Sequence, residues 1–306
     1  MTNTRTPRRY DVVVTVFSLW MVGGTWLDGW GHHHGATESF FTPYHAALYS
    51  GFLCLAVTLI GYPMWKLRRG IRSAMPGYGV AVAGTWLFLV GGFGDMFWHE
   101  IFGVEGDVEA FISPPHMALF IGGTMMVLGP LAALRHHGIP TGWRDGWPAV
   151  LSVASALGLI QFATEHANAL LLPVPAGDTM VYAGPFGPAG YSFTPEVGVA
   201  YGLSAIMVQT LLISASIVAL MSRLKAPFGA ITISLVLGVG HSLVIHDEFA
   251  LLSVLAIAGL VGDALLTWAP RLPLWVVPTV VPATLYSAWL VALAATYGLN
   301  WNAHLV

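Results

Sequence analysis

Residues 26–51 read WLDGWGHHHGATESFFTPYHAALYSG, and their reading decides the fold. Asp28 and His32 are four apart, so on a helix they project from one face, one turn above the other. His45 follows Thr42-Pro43 at the head of the next apolar run, and a hydroxyl residue followed by proline reads as N-cap and first helical position. The stretch therefore predicts a helix ending in Asp-x3-His, a short loop, and a second helix with a histidine in its first turn. Two helices meet there with three side chains of the kinds that bind metal.

The same unit recurs over residues 94–122, GDMFWHEIFGVEGDVEAFISPPHMALFIG. It gives Asp95-x3-His99, an acidic loop, Ser113-Pro114 as cap and first position, and His116 in the first turn. Glu38 to His45 lies over Glu109 to His116 without a gap. One Asp-x3-His is common in any helical sequence; two copies, each followed by a capped histidine helix, form a repeat. Two histidines and a carboxylate suit copper, non-haem iron or zinc, and ligand type alone does not choose among them.

The composition places these units in a lipid bilayer. Of 306 residues 56% are hydrophobic and 9% charged, and the mean hydropathy is +0.71, outside the range of an ordinary soluble domain. The single cysteine, Cys54, sits in an apolar run and excludes a disulfide framework. A net charge of -3 with few, scattered basic residues does not suggest a nucleic-acid partner, and none is expected. The basic residues 1–10 and the long run behind them read as a retained first span rather than a cleaved signal.

The expected fold is an all-α, polytopic membrane bundle forming one domain over 1–306. Nine spans can be drawn, near 11–33, 42–66, 77–102, 114–135, 148–172, 195–222, 227–246, 248–269 and 273–297. They group into two-helix units of about 11–66, 77–135, 148–222 and 227–269, with a last span at 273–297. Arg5, Arg8 and Arg9 precede the first span; Lys66, Arg68, Arg69 and Arg72 follow the second; Arg135 and Arg144 follow the fourth; Arg223 and Lys225 follow the sixth; Arg271 follows the eighth. All 12 Lys and Arg thus fall on one side, which the positive-inside rule makes cytoplasmic, with the N-terminus inside and the metal units on the extracytoplasmic side.

That outer side also carries Glu165, His166, Glu196, His241, His246, Asp247 and Glu248. Phe193-Thr194-Pro195-Glu196 with Glu165-His166 reads as a degenerate third copy of the unit. His33, His34, Glu105 and Asp107 read as solvated loop residues, and Gly91-Gly92 and Gly122-Gly123 as close helix packing. Asp263, about 15 residues into the eighth span, is an ionisable group at membrane depth and reads either as a functional candidate or as a protonated packing residue.

Asp28-x3-His32-x12-His45, with its Phe41-Thr42-Pro43-Tyr44-His45 helix start, resembles the Asp/His/His copper motif in the C subunit of the copper membrane monooxygenases, the particulate methane and ammonia monooxygenases. Asp95-x3-His99 with Phe111-Ile112-Ser113-Pro114-Pro115-His116 resembles that subunit's second constellation; Asp95 stands where the family has Asn, and x16 separates His99 from His116. The resemblance covers about residues 20–125. It implies copper held by Asp28, His32, His45, Asp95, His99 and His116, and oxidation of a small apolar or ammonia-like substrate with O2. Glu38 and Glu109, each seven residues before a first-turn histidine, are the carboxylates expected to tune catalysis. Other membrane subunits or a homo-oligomer are possible partners. Two further readings share the ligands: a protein that binds or transports copper or zinc, for which Asp263 would matter, and a metal-dependent membrane hydrolase with Glu38 or Glu109 as base.

Overall fold

A computed structural model describes residues 8–36, 42–70, 75–103, 108–136, 139–177, 181–182, 191–192 and 195–302. The chain is helical. Helix α1 spans Arg8–His33, α2 Pro43–Arg68 and α3 Gly79–Phe102. Helix α4 runs Pro114–Val127 and continues after a 42° bend at Leu128 as Gly129–His136. Then follow α5 (Trp143–Ala163), α6 (Pro195–Met221), α7 (Ala230–Gly238, continued as Gly240–Ile245), α8 (Leu252–Trp268) and α9 (Val276–Thr296). A two-residue antiparallel pair, Val181–Tyr182 with Tyr191–Ser192, lies between α5 and α6.

Seven of these helices are long and apolar enough to cross a membrane, and eight if bent α4 counts as one span. The run expected to cross at 227–246 differs. It breaks at Gly238-Val239-Gly240 into pieces of nine and six residues, each too short to span. The expected fifth span, 148–172, is also shifted: α5 ends at Ala163, and the apolar residues beyond it form short 3-10 turns at Glu165–Ala167, Ala169–Leu171 and Val174–Ala176.

Contacts between connecting segments define the two ends of the bundle. At one end Arg8 pairs with Asp145 at 2.7 Å, and the Lys225 amide donates to the Pro140 carbonyl at 3.3 Å. At the other end His34 meets Asp247 and His246 meets Glu165, joining α1, α5 and α7. Helix α5 is the central pillar: buried residues fill 72% of its most apolar stretch, against 17–44% in the other spans. One core packs α1–α4 against its Ala156 and Leu159; the other packs α6–α9 against Val150, Val153 and Leu157.

The α1–α2 and α3–α4 pairs make the two most extensive helix contacts, and both close on glycine at equivalent places. A Cβ on Gly24 would sit 2.5 Å from the Leu48 amide nitrogen, and one on Gly51 2.5 Å from that of Met21. In the second pair a Cβ on Gly91 would sit 3.0 Å from the Leu119 amide nitrogen, and one on Gly122 2.6 Å from that of Phe88. A shift of 67 residues carries Met21, Gly24, Asp28 and His32 onto Phe88, Gly91, Asp95 and His99; a shift of 71 carries His45, Leu48 and Gly51 onto His116, Leu119 and Gly122. The repeat is thus one of packing as well as of the Asp/His/His pattern. Glycine lets the two backbones approach, which is how helices pair tightly where lipid offers no hydrophobic drive.

Candidate metal centres

The local sequence sets each ligand. Thr42 is extended (φ -90°, ψ 159°), and its hydroxyl accepts from the His45 amide at 3.0 Å, with Pro43 opening the helix. The predicted N-cap therefore forms as expected and holds His45 in the first turn, facing the C-terminal end of α1. Ser113 occupies the same place before α4 (φ -61°, ψ 148°), but its hydroxyl makes no backbone cap. It sits 2.8 Å from Nδ1 of His116 instead, which leaves Nε2 of that ring toward Asp95. A partner on the far ring nitrogen is how proteins fix a metal-binding imidazole.

Both triads assemble. Asp28 Oδ2 lies 3.5 Å from His32 Nε2 and 3.2 Å from His45 Nε2. Asp95 Oδ1 lies 3.6 Å from His99 Nε2 and 3.4 Å from His116 Nε2. The ring centroids are 5.9 Å apart in the first triad and 6.0 Å in the second. Within each group one donor atom per residue lies within 4.8 Å of the others, and among the described residues these are the two such groups. The donors converge without closing on one another, so each set has room for a cation. Oδ1 of Asp28 is buried and makes no hydrogen bond, an electrostatic deficit that a metal ion would balance.

The triads open onto the same cavity, of about 350 Å³. Its wall is apolar and largely aromatic: Phe52, Phe88, Phe93, Phe111, Phe120 and Phe162, with leucines between them. The first-turn histidines are each backed by the ring one turn on. His45 stacks on Tyr49 (5.6 Å, 7° between planes), and His116 lies beside Phe120 (6.5 Å, 31°). Tyr49 and Phe120 are again equivalent under the 71-residue shift. The sequence shows the two Asp/His/His groupings but not the shared cavity, since Phe111 and Phe162 come from outside the four repeat helices.

The other expected groups fall differently. Glu38 lies outside the described residues; Glu109 opens a short helical turn, Glu109–Ile112. The degenerate third copy does not assemble: Glu165 bonds to His246 at 3.0 Å, the His166 carbonyl accepts from the Tyr201 hydroxyl, and Glu196 is exposed at the start of α6. His34, expected to be solvated, bonds to the Trp30 carbonyl and to Asp247, while the His33 ring packs on His246. Glu105 and Asp107 lie outside the described residues.

Asp263 has a structural task. Its carboxyl accepts from the Ile231 amide at 3.0 Å, the Thr232 amide at 3.1 Å and the Thr232 hydroxyl at 2.6 Å, so it caps the first turn of α7 from the neighbouring helix. A second polar link, invisible to periodicity, joins α5, α6 and α9: Gln209 donates to Gln161 at 2.9 Å and accepts from Tyr286 at 3.1 Å.

No protein-family model, curated protein or solved structure matches the chain.

Proposed function

We propose that the chain is an integral membrane metalloprotein that oxidises a small apolar or ammonia-like molecule with O2 at copper. One observation carries this reading: two Asp/His/His sets, each completed by a histidine in the first turn of a proline-started helix, open into one cavity lined by aromatic rings. Asp28, His32 and His45 would hold one ion, and Asp95, His99 and His116 another. Copper bound there supplies one-electron chemistry and a position at which O2 is activated.

The chain's own residues do the rest. Ser113 and Thr42 fix the ligands before any ion arrives, so little reorganisation accompanies binding. The aromatic wall excludes water and offers a small apolar molecule a binding surface; a volume of about 350 Å³ lies at the low end of the range for ligand pockets. Glu38 and Glu109 are assigned the charge around the two centres. In this reading nine segments cross or enter the membrane, the N-terminus is cytoplasmic, and the metal end faces away from the cytoplasm, as the placement of Lys and Arg supports.

A metal carrier would need a polar route through the bundle, and Asp263, the deep carboxyl that would mark one, is engaged in capping α7. A hydrolase would carry stoichiometric zinc. The test is metal analysis of the purified chain with an EPR spectrum, followed by oxygen uptake with reductant and a panel of small hydrocarbons and ammonia. Copper with nitrogen hyperfine structure and substrate-dependent uptake support the reading; zinc without copper overturns it.

A further inference from the structure

A third group of ionisable residues lies on the side of α1 turned toward α7, outside both triads. Its centre is Glu165, in the turn just after α5. The residue is 4% exposed, and Oε1 lies 3.0 Å from Nε2 of His246. The hydroxyl of Ser242 also faces this carboxyl, yet Oε2 is buried and makes no hydrogen bond. Buried carboxyls are costly without full partnership, so a half-satisfied one at a helix end calls for an explanation.

The group does not close into a metal site. His246 has the His33 ring edge-on at 4.3 Å, but Glu165, His246 and His33 are not among the described groups whose donors come within 4.8 Å of one another. What the arrangement offers is a line of proton-carrying groups running from solvent to the interior. At the outer end stand Asp247 and His34, 3.2 Å apart, with the Asp247 side chain 58% exposed. His246 follows, with an 11% exposed side chain, and Glu165 is the innermost member. Beyond it Ser242 contacts Nε2 of His241 at 3.3 Å, and the Nδ1–H of that ring donates to the Gly238 carbonyl at the break in α7. Glu165 is three residues past Phe162, a wall residue of the metal cavity.

A second, independent feature marks the same place. Asp247 ends α7 with φ 60°, the one described non-glycine residue in the left-handed region. The Glu248 amide closes the turn on the Leu243 carbonyl at 2.7 Å, the helix ending that glycine ordinarily makes. Glycine there would remove the strain; an aspartate keeps a carboxylate at the mouth of the line.

We propose that Glu165 and His246 form a buried proton-transfer pair, loaded from solvent through the imidazole, that holds a proton beside the wall of the metal cavity. A proton arriving from water enters the His246 ring at Nδ1, and the Nε2 proton crosses to Oε1 of the carboxylate; the reverse steps return it. Only N–H and O–H bonds form and break, and no electron moves. Burial holds the Glu165 carboxyl above the usual carboxylate range, and the bond to His246 offsets only part of that. His166, the next residue, is itself held neutral to lower pH by burial, so it adds no compensating cation. The pair does not depend on the identity of the metal, or on one being bound.

The test uses the full chain in detergent, without added metal, and follows carboxyl C=O stretching by infrared spectroscopy during a switch from H2O to D2O. The parent should show a protonated-carboxyl band that Glu165→Gln lacks, and this band should shift promptly in D2O. His246→Gln keeps a donor to Oε1 but has no ring to pass a proton, so the band should persist and exchange at least tenfold more slowly. A His246→Phe variant repeats the test if the first is poorly folded. Absence of the band in the parent, or equal exchange rates in parent and variant, would overturn the proposal and leave the pair a tether between α5 and α7. Metal content measured on the same samples stands apart: its failure would strike the copper reading and leave this one intact.

Discussion

Replacing Asp263 with alanine isolates the carboxyl that the sequence marks for function and the structure assigns to capping. The side chain is 1% exposed and serves three donors at the start of α7. The Thr232 hydroxyl can rotate to another acceptor, but the Ile231 and Thr232 amides cannot, because the first turn of a helix gives them no partner. Each buried amide left unpaired costs about 1–3 kcal/mol, so Asp263→Ala should lose about 2–6 kcal/mol. Asp263→Asn retains one acceptor oxygen and should lose about half as much. Equilibrium unfolding in mixed micelles, followed by circular dichroism, reads both. A loss below about 0.5 kcal/mol for the alanine variant, the size of a neutral surface change, would refute the capping role. Collapse of metal flux across vesicles in Asp263→Asn, at unchanged stability, would move Asp263 back among the transport groups.

The helix crossings supply a second expectation. Gly24→Ala and Gly122→Ala press a methyl into facing backbone and should each cost about 1–3 kcal/mol, whereas Gly23→Ala, with open space around it, should gain up to about 1 kcal/mol, all read by the same unfolding assay. The two cap hydroxyls should separate by role. Thr42→Ala should lose about 1 kcal/mol of stability, while Ser113→Ala should weaken metal binding at the second triad by about 10–100-fold in a competition titration, leaving the first triad unchanged. Glu165 should leave a signature in stability against pH. Its folded-state pKa is raised, so the folded protein holds the proton more tightly, and stability falls as pH rises from the ordinary carboxylate range through the raised value. Glu165→Gln should remove that fall; an unchanged profile would mean the carboxyl is ionised throughout.

The two Asp/His/His groupings were legible in the sequence because helix geometry does local work. A spacing of four puts Asp28 with His32 and Asp95 with His99, and Thr42-Pro43 and Ser113-Pro114 mark helix starts wherever they occur. The glycine crossings were half legible: Gly91 and Gly122 stood out as packing residues, but their pairing with Leu119 and Phe88 needs the 67- and 71-residue shifts to be seen as contacts. The break inside the span expected at 227–246 was not legible, because hydropathy does not register Gly238-Val239-Gly240, where the His241 ring turns back onto the Gly238 carbonyl. Glu165 was assigned to a third metal unit because chain order places it beside His166 and Glu196. Its partner, His246, comes from 81 residues away, a pairing that no local spacing encodes. The capping role of Asp263 was out of reach for the same reason, its donors being 31 and 32 residues distant.

The existence of two equivalent metal centres rests most directly on metal stoichiometry, measured on the purified parent chain and on His45→Ala, His116→Ala and His34→Ala. The parent should bind one ion per triad, His45→Ala and His116→Ala should each lose one of the two, and His34→Ala, whose ring is committed to Trp30 and Asp247, should keep both. Full metal content in both ligand variants would contradict the assignment; loss with His45→Ala alone would reduce the second triad to a structural echo of the first.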